Sequence, residues 1–384
     1  MDLEITLEQR TTVDTIRKFL DKEIRPHVRE WEHADQYPTP ALEAFKEMGL
    51  FGATIPEEYG GLGWDVVTYA LVVSELSSCW MSLSGMINTH LIMAHAVKTY
   101  GTEEQKKRFL PKFAKAELRG GLALSEAQGG SDAANIRCAA KKKGDYYLVN
   151  GTKMWITNSD GNAFFLLSRT DPDANPVHAG ISGFIVEKGH PGFRVSRNIP
   201  KLGYKGIPTS ELVFEDFPVP VENLIGGKEG QGFYQVMGGL ELGRINVAAR
   251  AVGVLQAAFD DSVRYAQERV TFGKPIWQHQ LIGAKLADMA TDLEAARLLV
   301  MNAATKKQRG ERCDLEASMA KLFASQACAK HAFEAMQLHG GYGYTTEFDV
   351  ERYYRDAPLM TIGEGSNEIL KTVIAKGLVK KYSI

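Results

Sequence analysis

The chain has 384 residues, 44% of them apolar and 24% charged. That is ordinary globular composition, and the length is too great for one compact core, so two or three domains are expected. Basic and acidic side chains nearly cancel, 45 against 47, which removes the electrostatic case for binding nucleic acid or an anionic membrane surface.

No apolar run approaches the length that spans a bilayer, so no membrane partner is expected. The N-terminus enters a helical pattern directly, with neither an apolar leader nor an Arg-rich, acid-poor one. A bacterial-like cytoplasmic location is therefore expected, and a mature mitochondrial matrix protein also fits. Cys79, Cys138, Cys313 and Cys328 are scattered and read as reduced thiols. The nine histidines show no ligand spacing, so no metal is expected.

In chain order, residues 6–30 read as a helix. Thr6-Leu7-Glu8-Gln9 fits a capping box, and Val13, Ile16, Leu20, Ile24, Val28 and Trp31 mark one buried face, with Pro26 as a kink or stop. Thr39 and Pro40 fit the cap and first position of a short helix that Gly49 ends. Residues 65–79 and 82–100 read as two largely buried helices, and Thr102-Glu103-Glu104-Gln105 caps another reaching about Ala116. The first 120 residues are thus expected to be all-helical.

From 121 to about 217 the period changes to that of short strands. Asn150-Gly151 between Asp145–Val149 and Thr152–Thr157 reads as a hairpin turn, and Ala163–Ser168, Gly183–Glu187, Phe193–Ser196 and Glu211–Phe214 continue the pattern. A small barrel or sandwich over 121–228 is the natural closure. Beyond it three long helical stripes return. They are Ile245 to Ala266, Ile282 to Val300, and Leu315-Met319-Leu322-Ala329-Phe333-Met336. With a last helix after Gly365 they predict a four-helix bundle over 229–384. The whole reads as a multi-domain α+β protein: an all-α domain over 1–120, the β domain, then the bundle.

Five segments carry candidate chemistry, and each alone also fits ordinary structure. Leu122 to Asp132 is an apolar strand running into Ser125-Glu126 and a Gly-Ser turn. Trp155-Ile156-Thr157 could be a core tryptophan in a strand. Arg269-Val270-Thr271-Phe272-Gly273, followed by Gln280, offers a guanidinium fork that matches phosphate oxygens, or a helix C-terminus with Arg on its dipole. Gln337-Leu338-His339-Gly340-Gly341 lets a backbone come close to a phosphate. Glu364 sits between Gly363 and Gly365, just before Ser366 as an N-cap; it could reach a buried ligand or simply favour the helix dipole. No P-loop occurs, because Gly273-Lys274 runs into Pro275, and no Gly-x-Gly-x-x-Gly follows a strand, so a nicotinamide dinucleotide on a Rossmann unit is not expected.

Taken together, in this order and over essentially the whole chain, these segments resemble the acyl-CoA dehydrogenase family. The resemblance implies FAD as cofactor. Leu122, Leu124, Ser125, Gly130 and Ser131 would meet the flavin, with Trp155, Ile156 and Thr157 packing beside it. Arg269, Phe272 and Gln280, with Gln337, Gly340 and Gly341, would hold the ADP half across a subunit boundary. Ser366 and Glu368 complete the implied cofactor set. Glu364 would be the base that removes an α-proton from an acyl-CoA thioester while the β-hydrogen leaves as hydride to flavin N5. Ser131, Leu240, Glu241, Arg244 and Gly365 fall at the substrate positions. The resemblance further implies a homotetramer and an electron-transfer flavoprotein as redox partner. One branch of the family carries its base near Arg244, where this chain has Gly243, with Glu241 close by.

The chain departs from the family pattern at Ala127, Gly363 and Ser366, where Pro, Tyr and Thr are usual. Gly363 implies extra room beside the reacting carbons, suiting branched or cyclic acyl groups. A glutaryl-type member would carry an Arg near Ser82–Asn88, and none stands between Cys79 and Lys98. Two other readings are a flavin oxidase on the same scaffold and a non-catalytic FAD-binding assembly protein; retention of Glu364 speaks against the second.

Overall fold

The computed structural model describes residues 5–383. Helix α1 (Leu7–Phe19) opens on the capping box read from the sequence: Gln9 N–H donates to Thr6 Oγ1 and Thr6 N–H to Gln9 Oε1. The helix expected to reach residue 30 is interrupted. A π-helical turn over Leu20–Ile24 and a 3-10 turn over Arg25–His27 precede α2 (Val28–His33). Pro26 has no N–H for the ladder, and the widened turn before it still keeps Ile16, Leu20, Ile24 and Val28 buried. Helix α3 (Thr39–Glu47) takes Pro38 as its cap, so Thr39 lies inside it rather than before it. Helices α4 (Val66–Cys79) and α5 (Met81–Tyr100) are buried on most sides, and α6 (Glu103–Ala114) starts at the Thr102 capping box.

Seven strands follow. They are β1 (Gly120–Ala123), β2 (Ala139–Lys143), β3 (Tyr146–Thr157), β4 (Ala163–Arg169), β5 (Ile181–Glu187), β6 (Phe193–Val195) and β7 (Thr209–Pro220). They form one curled sheet in the order β1-β4-β2-β3-β7-β6, with β5 also paired to β4. Strand β4 runs parallel to β1 and β2, and the remaining pairs are antiparallel. The curl encloses Phe164, Phe184, Phe214 and Phe217.

The hairpin expected at Asn150-Gly151 is not there. Strand β3 runs straight through both residues. The Asn150 side chain is held to Asp216 by two hydrogen bonds across β7 (3.0 and 2.9 Å). Gly151 is required for a different reason: a Cβ there would lie 2.6 Å from Cys138 Cα. The turn is instead Gly144-Asp145, closed by the Lys143–Tyr146 pair, with Gly144 at φ 64°.

The C-terminal part contains α7 (Gly232–Glu268), α8 (Gln280–Gln308), α9 (Asp314–Leu338), α10 (Val350–Ile362) and α11 (Asn367–Lys381). A short hairpin of β8 (Val270–Thr271) and β9 (Lys274–Pro275) joins α7 to α8. The predicted stripe of α7 is largely buried, and that of α8 is buried from Met289 to Val300, while the α9 stripe is not. Helix α9 buries Ala317, Ala320, Ala324, Cys328, Ala332 and Ala335, leaving Leu315, Met319, Leu322 and Met336 half-exposed and Phe333 exposed. Small side chains let α9 come close to α7, and proximity outweighs side-chain size in choosing the buried face. No helix among the described residues is long and apolar enough to cross a membrane.

Candidate active site

Between α10 and α11 a turn holds Glu364 with its backbone in the left-handed region, φ 56°, followed by Gly365 at φ 90°. Such a conformation costs a non-glycine residue roughly 1–2 kcal/mol. The turn is fixed from outside. Ser366 caps α11 by accepting from Ile369 N–H, and Lys321 Nζ on α9 donates to the Gly365 carbonyl (2.8 Å) and to Asn367 Oδ1 (3.0 Å). Burial brings Lys321 down to a pKa of about 8.

The Glu364 side chain points at α7. A Cβ on Gly243 would stand 2.6 Å from Glu364 Oε2, so glycine at 243 makes room for the carboxylate. Oε2 is shut off from solvent and has no hydrogen-bond partner among the described residues. Burial pushes the Glu364 pKa above the ordinary carboxylate range; Arg250, then Arg244, Lys321 and the Asn88 amide, pull it partway back. Its backbone N–H donates to no protein group among the described residues. A carboxylate with a free oxygen and a raised pKa is equipped to accept a proton.

Arg250, Asn246, Tyr69 and Tyr204 were not singled out by the sequence, yet they form a buried network beside this carboxylate. Arg250 Nη2 donates to Asn246 Oδ1 (2.9 Å), Arg250 Nη1 to Tyr204 Oη (3.3 Å), and Asn246 Nδ2 to Tyr69 Oη (2.7 Å). Burial raises both tyrosine pKa values, and the charge of Glu364 adds to each. Tyr204 fits because α5 carries Gly85, whose Cβ would collide with its hydroxyl. Asn158, just past β3, donates to the Gly85 carbonyl (3.0 Å) and ties the sheet to the same helix. The sequence signal for Arg250 is one charge inside the apolar run Val247 to Val254.

The other acid near Gly243 is already engaged. Glu241 is paired with Lys307 and has the Cys313 thiol 3.8 Å away. Arg244 donates to Ser318 Oγ (3.4 Å) and faces Asp314 (3.9 Å). Leu240 packs half-buried against the core between α5, α6 and the sheet.

The first two sequence segments meet at one sheet edge. Ser125 accepts from Met154 N–H (2.9 Å), and the fully buried Lys153 ammonium bonds the Leu124 carbonyl (3.0 Å) and Glu126 (2.7 Å). Glu126 also accepts from Arg137 and Cys138 N–H (2.7 and 3.0 Å). Between Lys153 and Ile156 the register against β7 shifts. Trp155 takes φ 58° and turns its indole outward, 53% exposed, while Ile156 enters the core. Leu122, Ser125 and Thr157 are half-buried at this edge, and Gly130 and Ser131 are exposed on the loop beyond it.

The other cofactor candidates lie elsewhere. Gly243 and Arg269 are both on or next to α7, 26 residues apart, which is about 39 Å of helix. At that far end Arg269 lies over the Tyr342 ring (6.0 Å), Lys285 donates to Gln337 (3.3 Å), and Tyr265 donates to the His339 carbonyl (3.3 Å). Phe272 is 93% exposed, Gln280 is exposed, and a Cβ at Gly340 or Gly341 would meet nothing within 4 Å. Glu368 is exposed on the first turn of α11. One chain thus brings the candidates together in two groups, well separated along α7.

This arrangement of helices, curled sheet and bundle around a glutamate whose Oε2 is shut off from solvent matches known proteins along its length. The profile described as "Acyl-CoA dehydrogenase, N-terminal domain" matches residues 6–117, the middle domain 121–217 and the C-terminal domain 230–379. An acyl-CoA dehydrogenase of Bacillus subtilis (strain 168) is 43% identical over 379 residues, 98% of this chain and 99% of that one. Butyryl-CoA dehydrogenase from Megasphaera elsdenii superposes with a TM-score of 0.95 at 38% identity, covering 99% of this chain and 100% of the other. A chain solved in work on the electron transferring flavoprotein of Acidaminococcus fermentans gives 0.96 at 39% identity, with 99% and 100% covered. The chain belongs to the acyl-CoA dehydrogenase family. It is a flavoprotein oxidoreductase whose cofactor is FAD, and its residues fit that group. The free Trp155 indole stands at the edge formed by Ser125 and Thr157, and Arg269 and the open Gly340-Gly341 backbone suit a diphosphate.

Proposed function

We propose that the chain converts an acyl-CoA thioester to its trans-2-enoyl-CoA, with Glu364 as the base for the α-proton. The observation that carries this reading is the buried, unpartnered Glu364 Oε2 facing Gly243. When bound, FAD supplies the acceptor for the β-hydrogen, which leaves as hydride. Glu364 holds a raised pKa, so the α-proton it receives is retained rather than released at once to solvent. The unengaged Glu364 N–H is a donor for the thioester oxygen as negative charge gathers there. Closing an acyl chain over the site excludes water and strengthens both effects.

Trp155, Ser125 and Thr157 orient the flavin edge, and Leu240, Arg244, Ser131 and Gly365 flank the thioester. Glu241, paired with Lys307, shapes the wall rather than moving protons. Gly363 leaves open space: an added Cβ there would come no closer than 3.5 Å to the Leu359 carbonyl. That supports room for branching near the reacting carbons. The separation of the two cofactor groups along α7 supports an assembly, a homotetramer in our reading, in which a second copy completes each FAD site. Electrons then pass to an electron-transfer flavoprotein.

The test is an anaerobic titration of the purified holoprotein with straight, branched, cyclic and dicarboxylic acyl-CoAs. We expect one class to bleach the flavin absorbance, and Glu364→Gln to slow that bleaching by about 10²–10⁴-fold. A bound flavin that no thioester reduces, or one reduced equally fast in Glu364→Gln, would overturn the reading. Rapid reoxidation by oxygen after reduction would identify an oxidase instead.

A further inference from the structure

Glu364 is not the only charge buried at this site. Arg250 is 4% exposed, and its guanidinium bonds only neutral groups among the described residues, the Tyr204 hydroxyl and the Asn246 amide oxygen. Its Nε has no partner among the described residues, a state it shares with Arg244 and Arg352. What sets the other buried arginines apart is a facing carboxylate: Arg119 faces Asp160, Arg244 faces Asp314 and Arg352 faces Asp349. Removing a guanidinium from water costs several kcal/mol unless an anion compensates it. Two neutral oxygens satisfy geometry without neutralising charge, and the guanidinium has five N–H donors to place.

Its position indicates what the missing anion is. Arg250 follows Gly243 by seven residues on α7, so it shares that helix face two turns further on, about 10.5 Å along the axis. Helical side chains lean toward the N-terminus, which brings the guanidinium back toward Glu364. Of the nearby cations it acts most strongly on that carboxylate. Glu364 cannot serve as its lasting counter-ion, because the base becomes neutral when it takes the proton. A purely apolar acyl tail lying here would desolvate Arg250 further and return nothing.

We propose that Arg250 closes the acyl pocket as the receptor for a carboxylate at the far end of the chain, so that the substrate is the mono-CoA thioester of a short dicarboxylic acid. The cation comes from α7, not from α5, where the sequence places no arginine. Tyr204 and Asn246 hold the guanidinium in place, and its free Nε edge offers the fork that a carboxylate matches. This inference rests on the dehydrogenase reading, and the two can be tested apart.

Binding is measured calorimetrically on the Glu364→Gln holoenzyme, with succinyl-, glutaryl- and adipyl-CoA set against butyryl-, valeryl- and hexanoyl-CoA. One dicarboxylic thioester is expected to bind about 30-fold or more tightly than its straight-chain counterpart. Arg250→Leu in that background is expected to remove this advantage and Arg250→Lys to recover part of it. The inference is overturned if the straight chains bind as well or better, a comparison that needs no change at Arg250. It is also overturned if Arg250→Leu weakens both classes by the same factor, which would leave Arg250 a packing role. If the unmutated enzyme is reduced by neither class while binding still favours the dicarboxylic one, the dehydrogenase reading fails and the receptor stands.

Discussion

A missing methyl group on α7 decides where the carboxylate of Glu364 can lie. Replacing Gly243 by Ala places a carbon within 2.6 Å of Oε2, and the acid must move. Misplacement of about 1 Å costs about 100-fold in rate, so Gly243→Ala is expected to lower the flavin-reduction rate by that order. Ala is also the better helix former by about 1 kcal/mol, so the melting temperature should hold or rise; a parallel fall would mean general damage. The pH dependence follows from the same residue. Only ionised Glu364 accepts a proton, so kcat/KM should rise with pH through a pKa above the usual carboxylate range. Arg250 is the strongest opposing influence, and Arg250→Leu should move that limb to higher pH; a shift the other way in the pH–rate profile would refute this. At this scale the turn and helix cap around Glu364 were legible, because the flanking glycines and Ser366 mark them locally. Arg250 was not, because its meaning depends on residues far away in sequence, Tyr204 and Asn246's partner Tyr69.

Elements were legible where one contact type dominates. Capping boxes at Thr6 and Thr102 appear as read, since each needs only four consecutive residues. Asn150-Gly151 misled because the local turn preference lost to the pairing of β3 on either side of it, where only a register shift marks Asn150, and to the close approach of Cys138. The α9 stripe misled because a face of alanines packs more closely than a face of large side chains. The loop before the Gly-Ser turn is held by the Lys153–Glu126 pair, both members essentially buried. Burial alone would raise the Glu126 pKa, but the Lys153 charge and hydrogen bonds more than offset it and hold the value low. Lys153→Met would leave the carboxylate buried and unpaired, at a cost of about 3–5 kcal/mol. A group lowered in this way stabilises the fold above its unfolded pKa, and loses that contribution as pH falls through the folded one. Denaturant melts should therefore show the Lys153→Met deficit at neutral pH and a smaller one in acid; an equal deficit at both would contradict this account.

For the whole molecule, the order of helices, sheet and helices was plain from the change of period, while the relation between copies was not. Phe272 is 93% exposed, Tyr344 86% and Leu281 80%, all near the junctions of α7, α8 and α9. Under our proposal that a second copy of the chain completes each divided cofactor site, this apolar surface is where that copy docks. Phe272→Asp is expected to shift the sedimentation coefficient toward the monomer and to release FAD on gel filtration. A wild-type monomer that keeps its flavin would remove the basis for a shared site. Periodicity within one chain carries no information on this, because a face covered by a partner copy and a face covered by the chain's own helices look alike in sequence.

The left-handed backbone at Glu364 sets folding and turnover against each other. Glycine would occupy that conformation without steric conflict, and would take a carboxylate whose Oε2 lacks a hydrogen-bond partner out of the interior. Those gains exceed the roughly 0.5–1 kcal/mol of chain entropy that glycine loses on folding. Glu364→Gly should accordingly melt at a higher temperature than the parent while reducing no flavin. A lower melting temperature would show that the turn is comfortable as it is. If the expectation holds, robustness alone would never have retained this residue, and its persistence in a strained turn is a record of selection for chemistry.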